Sequence, residues 1–312
     1  MLYLVFILSY FFQINQVELT KVAEITEVGD YFFSGIRNVQ VLDNNLIVAN
    51  GDAYQIIIAD MDGNYVNSFG RNGAGPGEFR NLNMMATSPQ SNSIITWDQG
   101  LARLSEFNLN GDFINNVSLG GRFMGIEIDF DNNIYLSALN LAGPDKLLSQ
   151  VTFEDEIVGK FIDPDDYTLS VHRSGNVGGL TYCQSSRLVY YAFAFPYKIV
   201  GIDSQGDIQF TFEHDHQDFT PPAGGGTSGN MMLGGTLDSR ISSLLTTDDK
   251  LWVQYQTPNG NFLDIIAKEK NEIIQTISLP NDHRLGVAEG GFLYTYTVGR
   301  EARPKIVKWE IK

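Results

Sequence analysis

The chain has a single cysteine, Cys183, in 312 residues, so it forms no intramolecular disulfide and no cysteine-based zinc cluster. Bases are scarce. Only 21 Lys and Arg stand against 37 Asp and Glu, for a formal net charge of −16. A surface of that sign repels phosphate backbones and anionic bilayers, which argues against nucleic acid as a partner. No apolar run is long enough to span a bilayer, and no apolar pattern of helical period lasts a dozen residues. The Gly-rich stretch Gly73, Gly75, Gly77 lacks the Lys-Ser or Lys-Thr and the following helix of a phosphate cradle. No nucleophile elbow or sialidase-type Asp box is present, and no motif calls for a cofactor.

What is abundant points to β structure: 14 Tyr, 20 Phe and 31 Gly, with turn pairs interrupting every apolar run. The segment ITWDQGLARLSEFNLNG, residues 95–111, reads as strand, polar break, strand, tight turn, and its plan returns six times at intervals of roughly 50 residues. Breaks between first and second strands fall at 43–45, 89–93, 131–133, 185–186, 248–249 and 289–291. Turns between third and fourth strands fall at 62–63, 110–111, 154–155, 205–206 and 270–271. The sixth unit ends after its third strand, IVKWEIK, and residues 17–26, VELTKVAEIT, alternate like a half-exposed strand with no other place. Pairing the two covers both open edges. The expectation is an all-β fold: a six-bladed β-propeller of four-stranded blades over residues 17–312, closed by an N-terminal strand and monomeric. The apolar run 2–12 has the length of a secretory h-region. Residues 1–16 are accordingly expected to be a signal segment, and the mature chain to be periplasmic or secreted without an integral membrane segment.

In the unit 95–111, Asp98, Arg103 and Gly111 occupy the places of the Asp, Arg and turn Gly of the NHL repeat, which this segment resembles. FGRNGAGPGEF, residues 69–79, is similar to the Gly-rich linkers of NHL-like six-bladed bacterial propellers. The first unit departs from the pattern, with Asn50 and Gln55 in place of Asp and Arg. The resemblance implies an Asp98–Arg103 ion pair tying neighbouring strands, and a family that includes lyases, lactonases and binding scaffolds.

Two sets of residues carry candidate chemistry. His214 and His216 could offer imidazoles to a metal but lack the third and fourth ligands of a specific site. Six of the eleven arginines, Arg37, Arg80, Arg122, Arg173, Arg240 and Arg284, each fall shortly before an inner strand, in the loops that open on one face of a propeller. Guanidinium groups around that mouth would bind carboxylate, sulfate or phosphate. They could instead brace blades by pairing with Asp165, Asp166, Asp238 or Asp282. The first functional expectation is a non-enzymatic exported scaffold binding an anionic small molecule, acidic glycan or protein at the channel mouth. The alternative is a hydrolase or lyase acting on an acidic saccharide or peptide, with His172, His216 or His283 as base and Tyr31 or Tyr167 as acid. A third is assembly into a larger complex through the 220–236 loop. Cys183, in LTYCQ, reads as a small buried apolar residue.

Overall fold

Six four-stranded antiparallel sheets follow one another around the ring, in a computed structural model that describes residues 16–138, 145–154, 157–165, 177–216, 218–219, 239–299 and 303–312. Their inner strands are Ile36–Leu42, Leu82–Ser88, Phe123–Ile128, Gly179–Cys183, Arg240–Thr246 and His283–Glu289. Helix among the described residues is a single turn, Gly51–Ala53. The sixth sheet is completed by the N-terminal strand Leu19–Ile25, which pairs antiparallel with Ile306–Ile311. Gln275 of blade five adds a clamp, since its side-chain amide donates to the carbonyl of Val17 and accepts from the amide of Val17, at 2.8 and 2.7 Å. The first residues of the ring therefore hold both blade six and blade five.

Strand alternation places apolar residues on both faces of each blade, and the core is accordingly divided into six clusters between neighbouring blades. Ile47, Ile56, Met85 and Phe107 fill the first gap, and Trp97, Leu104, Phe123 and Leu136 the second. The last gap, between blades six and one, holds Ile36, Val39, Tyr294 and Ile306. The third-to-fourth-strand turns of blades one, two and four share one construction. Asp60, Asn108 and Asp203 each use Oδ1 to accept the amides two and four residues on, at 2.8–3.0 Å. The glycines that follow have positive φ, and Gly111 and Gly206 also receive Phe69 and Phe161 from the preceding blade, so closely that a Cβ would stand 2.7 and 2.1 Å from those side chains.

Asp98 and Arg103 do not pair with each other, contrary to the expected ion pair, although their backbones are register partners. Asp98 is buried and accepts the amides of Arg80, Asn81 and Leu101 at 2.7, 3.1 and 2.9 Å. Arg103 reaches the other way, donating to the carbonyls of Ala74, Gly75 and Glu78. A carboxylate is satisfied by backbone donors and a guanidinium by backbone acceptors, and each fastens a loop that enters blade two. Asn50 does the work of Asp98 in blade one, accepting from the amides of Ser34 and Gly35 and donating to the carbonyl of Phe32.

Cys183 is buried, yet it is not an inert apolar residue. Burial alone would push its thiol up, but the Lys268 ammonium 3.0 Å from Sγ and the hydroxyls of Ser185 and Ser186 outweigh this and lower it to about 6.

Candidate functional site

The inner strands of all six blades surround a channel of about 620 Å3. Five of these strands carry a bulge near their start, after Ile36, Leu82, Phe123, Ile241 and Leu285, and the described arginines of the expected ring fall around these bulges. Arg122, Arg240 and Arg284 immediately precede the buried residue before the bulge. Arg37 follows it, and Arg80 lies two residues ahead. Among the described residues, Arg37, Arg240 and Arg284 line the channel, whereas Arg80 and Arg122 are exposed outside its lining. Arg173 lies outside the described residues. The three channel arginines come from blades five, six and one, which are consecutive, so they form an arc rather than a ring.

Arg37 is half exposed and paired with Asp52. Arg240 and Arg284 have no acidic partner among the described residues. Both converge on one neutral oxygen, Oε1 of Gln256, with Arg240 donating from Nε and Nη2 at 3.3 and 3.2 Å and Arg284 from Nη2 at 3.4 Å. Burial, and after it the charge of Arg240, lowers the pKa of Arg284 from its ordinary value. Two positive charges thus share an uncharged acceptor in a partly desolvated mouth, an arrangement that an incoming carboxylate would stabilise. Tyr296, the register partner of Arg284, also lines the channel, its hydroxyl donating to the carbonyl of Arg37 at 2.9 Å.

A further channel group is Glu127, in the inner strand of blade three. Burial raises its carboxyl from 4.5 to about 7, opposed by the amides of Ile128 and Tyr182. No cationic side chain pairs with it among the described residues. Its signal in the sequence is faint: a lone Glu inside MGIEID, one of many acidic residues in an acidic chain.

The histidines are engaged elsewhere. His216 accepts the Asp218 amide at Nδ1, which leaves Nε2 to donate to the Tyr255 hydroxyl at 2.8 Å. Its ring stacks on Tyr197, and His214 meets the same ring edge-on. The Tyr197 hydroxyl donates to buried Asp264 at 2.7 Å, beside Thr276. Burial pushes the carboxyl of Asp264 up against these hydrogen bonds. Among the described residues, no group of three or more His, Cys, Asp or Glu could hold a metal. His283 begins an inner strand instead of lying in a loop. It is buried, with Nδ1 2.9 Å from the Thr295 hydroxyl and its ring against Trp309. Tyr31 stacks on Tyr65. His172, Tyr167 and the whole 220–236 loop lie outside the described residues, as do residues 1–15.

Solved structures share this architecture at low identity. A candidate exported protein of Bacteroides fragilis superposes with a TM-score of 0.70 at 13% identity, covering 95% of each chain. A DUF4221 family member of Bacteroides vulgatus gives 0.69 at 17%, covering 96% of this chain and 98% of its own. A streptogramin B lyase gives 0.52 at 12%, covering 95% and 98%. These likenesses show the fold and do not choose between scaffold and enzyme. No helix of the described residues is long and apolar enough to cross a membrane. None of the curated proteins matches the chain. The model of the DUF5128 family, described as a 6-bladed beta-propeller, matches residues 29–292. The chain belongs to this family of six-bladed β-propellers.

Proposed function

We propose that the protein is an exported, non-enzymatic propeller that binds a carboxylate-bearing ligand, a small molecule, an acidic glycan or an acidic protein segment, at the channel mouth. One observation carries this reading. Arg240 and Arg284 aim three N–H groups at the single neutral oxygen of Gln256 with no acidic partner among the described residues. The ring of six arginines contracts in this reading to the arc of Arg37, Arg240 and Arg284, with Arg37 already neutralised by Asp52. Arg80 and Arg122 serve the surface. Export is supported by the apolar segment 2–12 and by the exported description of the Bacteroides fragilis protein. The Asp98, Arg103 and Gly111 pattern supports an NHL-like ancestry for blade two, within one domain spanning 17–312.

A scaffold is favoured over a hydrolase or lyase because catalysis needs an acid or base touching the held substrate. Among the described residues, neither Arg240 nor Arg284 has an imidazole or carboxylate hydrogen-bond partner. The test is a thermal-shift screen with carboxylates, sulfated and uronic glycans, phosphates and divalent metals. Binding to the folded state raises Tm. The expected result is a shift with carboxylates that Arg240→Ala and Arg284→Ala abolish and Arg122→Ala preserves. A shift that survives both channel substitutions would overturn the assignment.

A further inference from the structure

The channel holds ionisable side chains without an oppositely charged partner at two levels. Arg240 and Arg284 mark the mouth. Arg284 is the register partner of Tyr296, and Glu289, on the same inner strand, is the partner of Phe292. Those partners are four residues apart on an unbulged strand, so Glu289 stands about 13 Å below Arg284 at the strand rise of about 3.3 Å per residue. Glu127 occupies the same level in blade three. It pairs with Tyr135, three positions from Ala138, as Phe292 is three positions from Thr295. Both glutamates line the channel, and neither has a cationic partner among the described residues. Glu127 sits between the inner strands of blades three and four, with the amide of its neighbour Ile128 3.0 Å from Oε1.

Between these levels the wall is uncharged and mixes polar with apolar side chains. Gln40, Asn83, Thr181 and Ser243 line it, and so does Asn38. The Asn38 Oδ1 is buried and has no hydrogen-bond partner among the described residues. A buried acceptor left without a donor is costly, and an N–H from an incoming molecule would relieve it. The volume of 620 Å3 suits a ligand of small-molecule size, within the range of roughly 300–1,000 Å3 for such pockets.

A ligand that answers all of these features has a carboxylate at one end, a cation about 13 Å away, and neutral N–H donors between. An extended peptide advances by at most about 3.3–3.6 Å per residue, so about four residues bridge that span. We propose that the channel takes a short extended peptide of about four uncharged residues, its C-terminal carboxylate on Arg240 and Arg284 and its N-terminal ammonium at the level of Glu127 and Glu289, which stand on the opposite blades three and six. This rests on the carboxylate reading of the mouth and adds the class of molecule attached to that carboxylate. The two acids at the lower level separate such a peptide from a simple dicarboxylate, which they would repel.

Isothermal titration of the purified protein with an alanine-serine tetrapeptide tests the proposal. Free, C-amidated and N-acetylated forms are compared, with benzoate as a simple carboxylate. The free peptide is expected to bind. Amidation and acetylation are each expected to weaken it about tenfold or more, since each removes a charge-assisted contact. In Glu127→Gln/Glu289→Gln the acetylation penalty should shrink while the amidation penalty remains. The blocked peptides report on the unaltered protein, so a variant that fails to fold does not decide the matter. If benzoate binds and acetylating the peptide changes nothing, the peptide channel is overturned and the carboxylate mouth stands. If neither benzoate nor the free peptide binds, both fall together.

Discussion

Replacing Glu127 with Gln should change how stability depends on pH, and the size of the change follows from the channel wall. The carboxyl is raised from 4.5 to about 7, chiefly by burial. It therefore holds its proton more tightly in the folded chain than in the unfolded one. Between those two pH values the native state binds more protons, so stability falls as pH rises. The contribution is complete below pH 4.5 and is lost by about pH 7. A rise of that extent is worth about 3 kcal/mol. For a chain of about 300 residues, with an unfolding entropy near 2.1 cal/mol/K per residue, this amounts to about 5 °C in Tm. Gln keeps an acceptor for the amides of Ile128 and Tyr182 but cannot titrate. The other carboxylates of this acidic protein titrate in both proteins and cancel in the comparison. Melting curves of the two proteins at steps from pH 4.5 to 8 should show the wild type losing about 5 °C relative to Glu127→Gln across that interval. A constant offset over the whole range would refute the argument that burial holds this group protonated.

Other substitutions probe separate parts of the ring. Asp98→Ala leaves three backbone amides without their buried acceptor and should cost about 3 kcal/mol in urea unfolding, against a smaller loss for Asp98→Asn, which keeps a neutral acceptor; near-equal losses would show that a neutral oxygen cannot replace the carboxylate. Gln275→Ala removes both hydrogen bonds to Val17 and should cost about 1–2 kcal/mol, with faster hydrogen exchange confined to residues 17–25. Exchange rising instead throughout blade five would contradict the clamp. Lys268→Met removes the ammonium beside Cys183, so the thiolate absorbance of that single cysteine should appear at a pH well above 6; an unchanged midpoint would mean that the hydroxyls hold the thiolate.

The blade plan was legible because each unit states its own punctuation. Asp60-Met61-Asp62-Gly63 and Asn108-Leu109-Asn110-Gly111 are turns whose side chains satisfy their own backbone, so they read correctly without knowledge of neighbours. The closing strand was legible by subtraction, from an unpaired last blade and an unassigned alternating segment. Arginine placement was legible only to the level of the loop. Bulge register separates Arg240 and Arg284 from Arg80 but not from Arg122, which holds the same place before its bulge and yet stands outside the channel. Asp98 and Arg103 show the same limit, since strand pairing brought them into register while backbone groups from the adjoining loops, distant in sequence, took both side chains. Glu127 and Lys268 were not legible at all. Their properties arise from burial and from contacts made across blades, and the Lys268–Cys183 contact spans 85 residues.

The most direct test of the carboxylate mouth is anomalous diffraction from crystals grown with para-bromobenzoate, whose bromine reports both position and orientation. The account expects the carboxylate on Arg240 and Arg284, displacing the Gln256 oxygen, with the bromine inside the channel. Ordered bromine found away from the mouth, with Gln256 still holding both guanidinium groups, would contradict it.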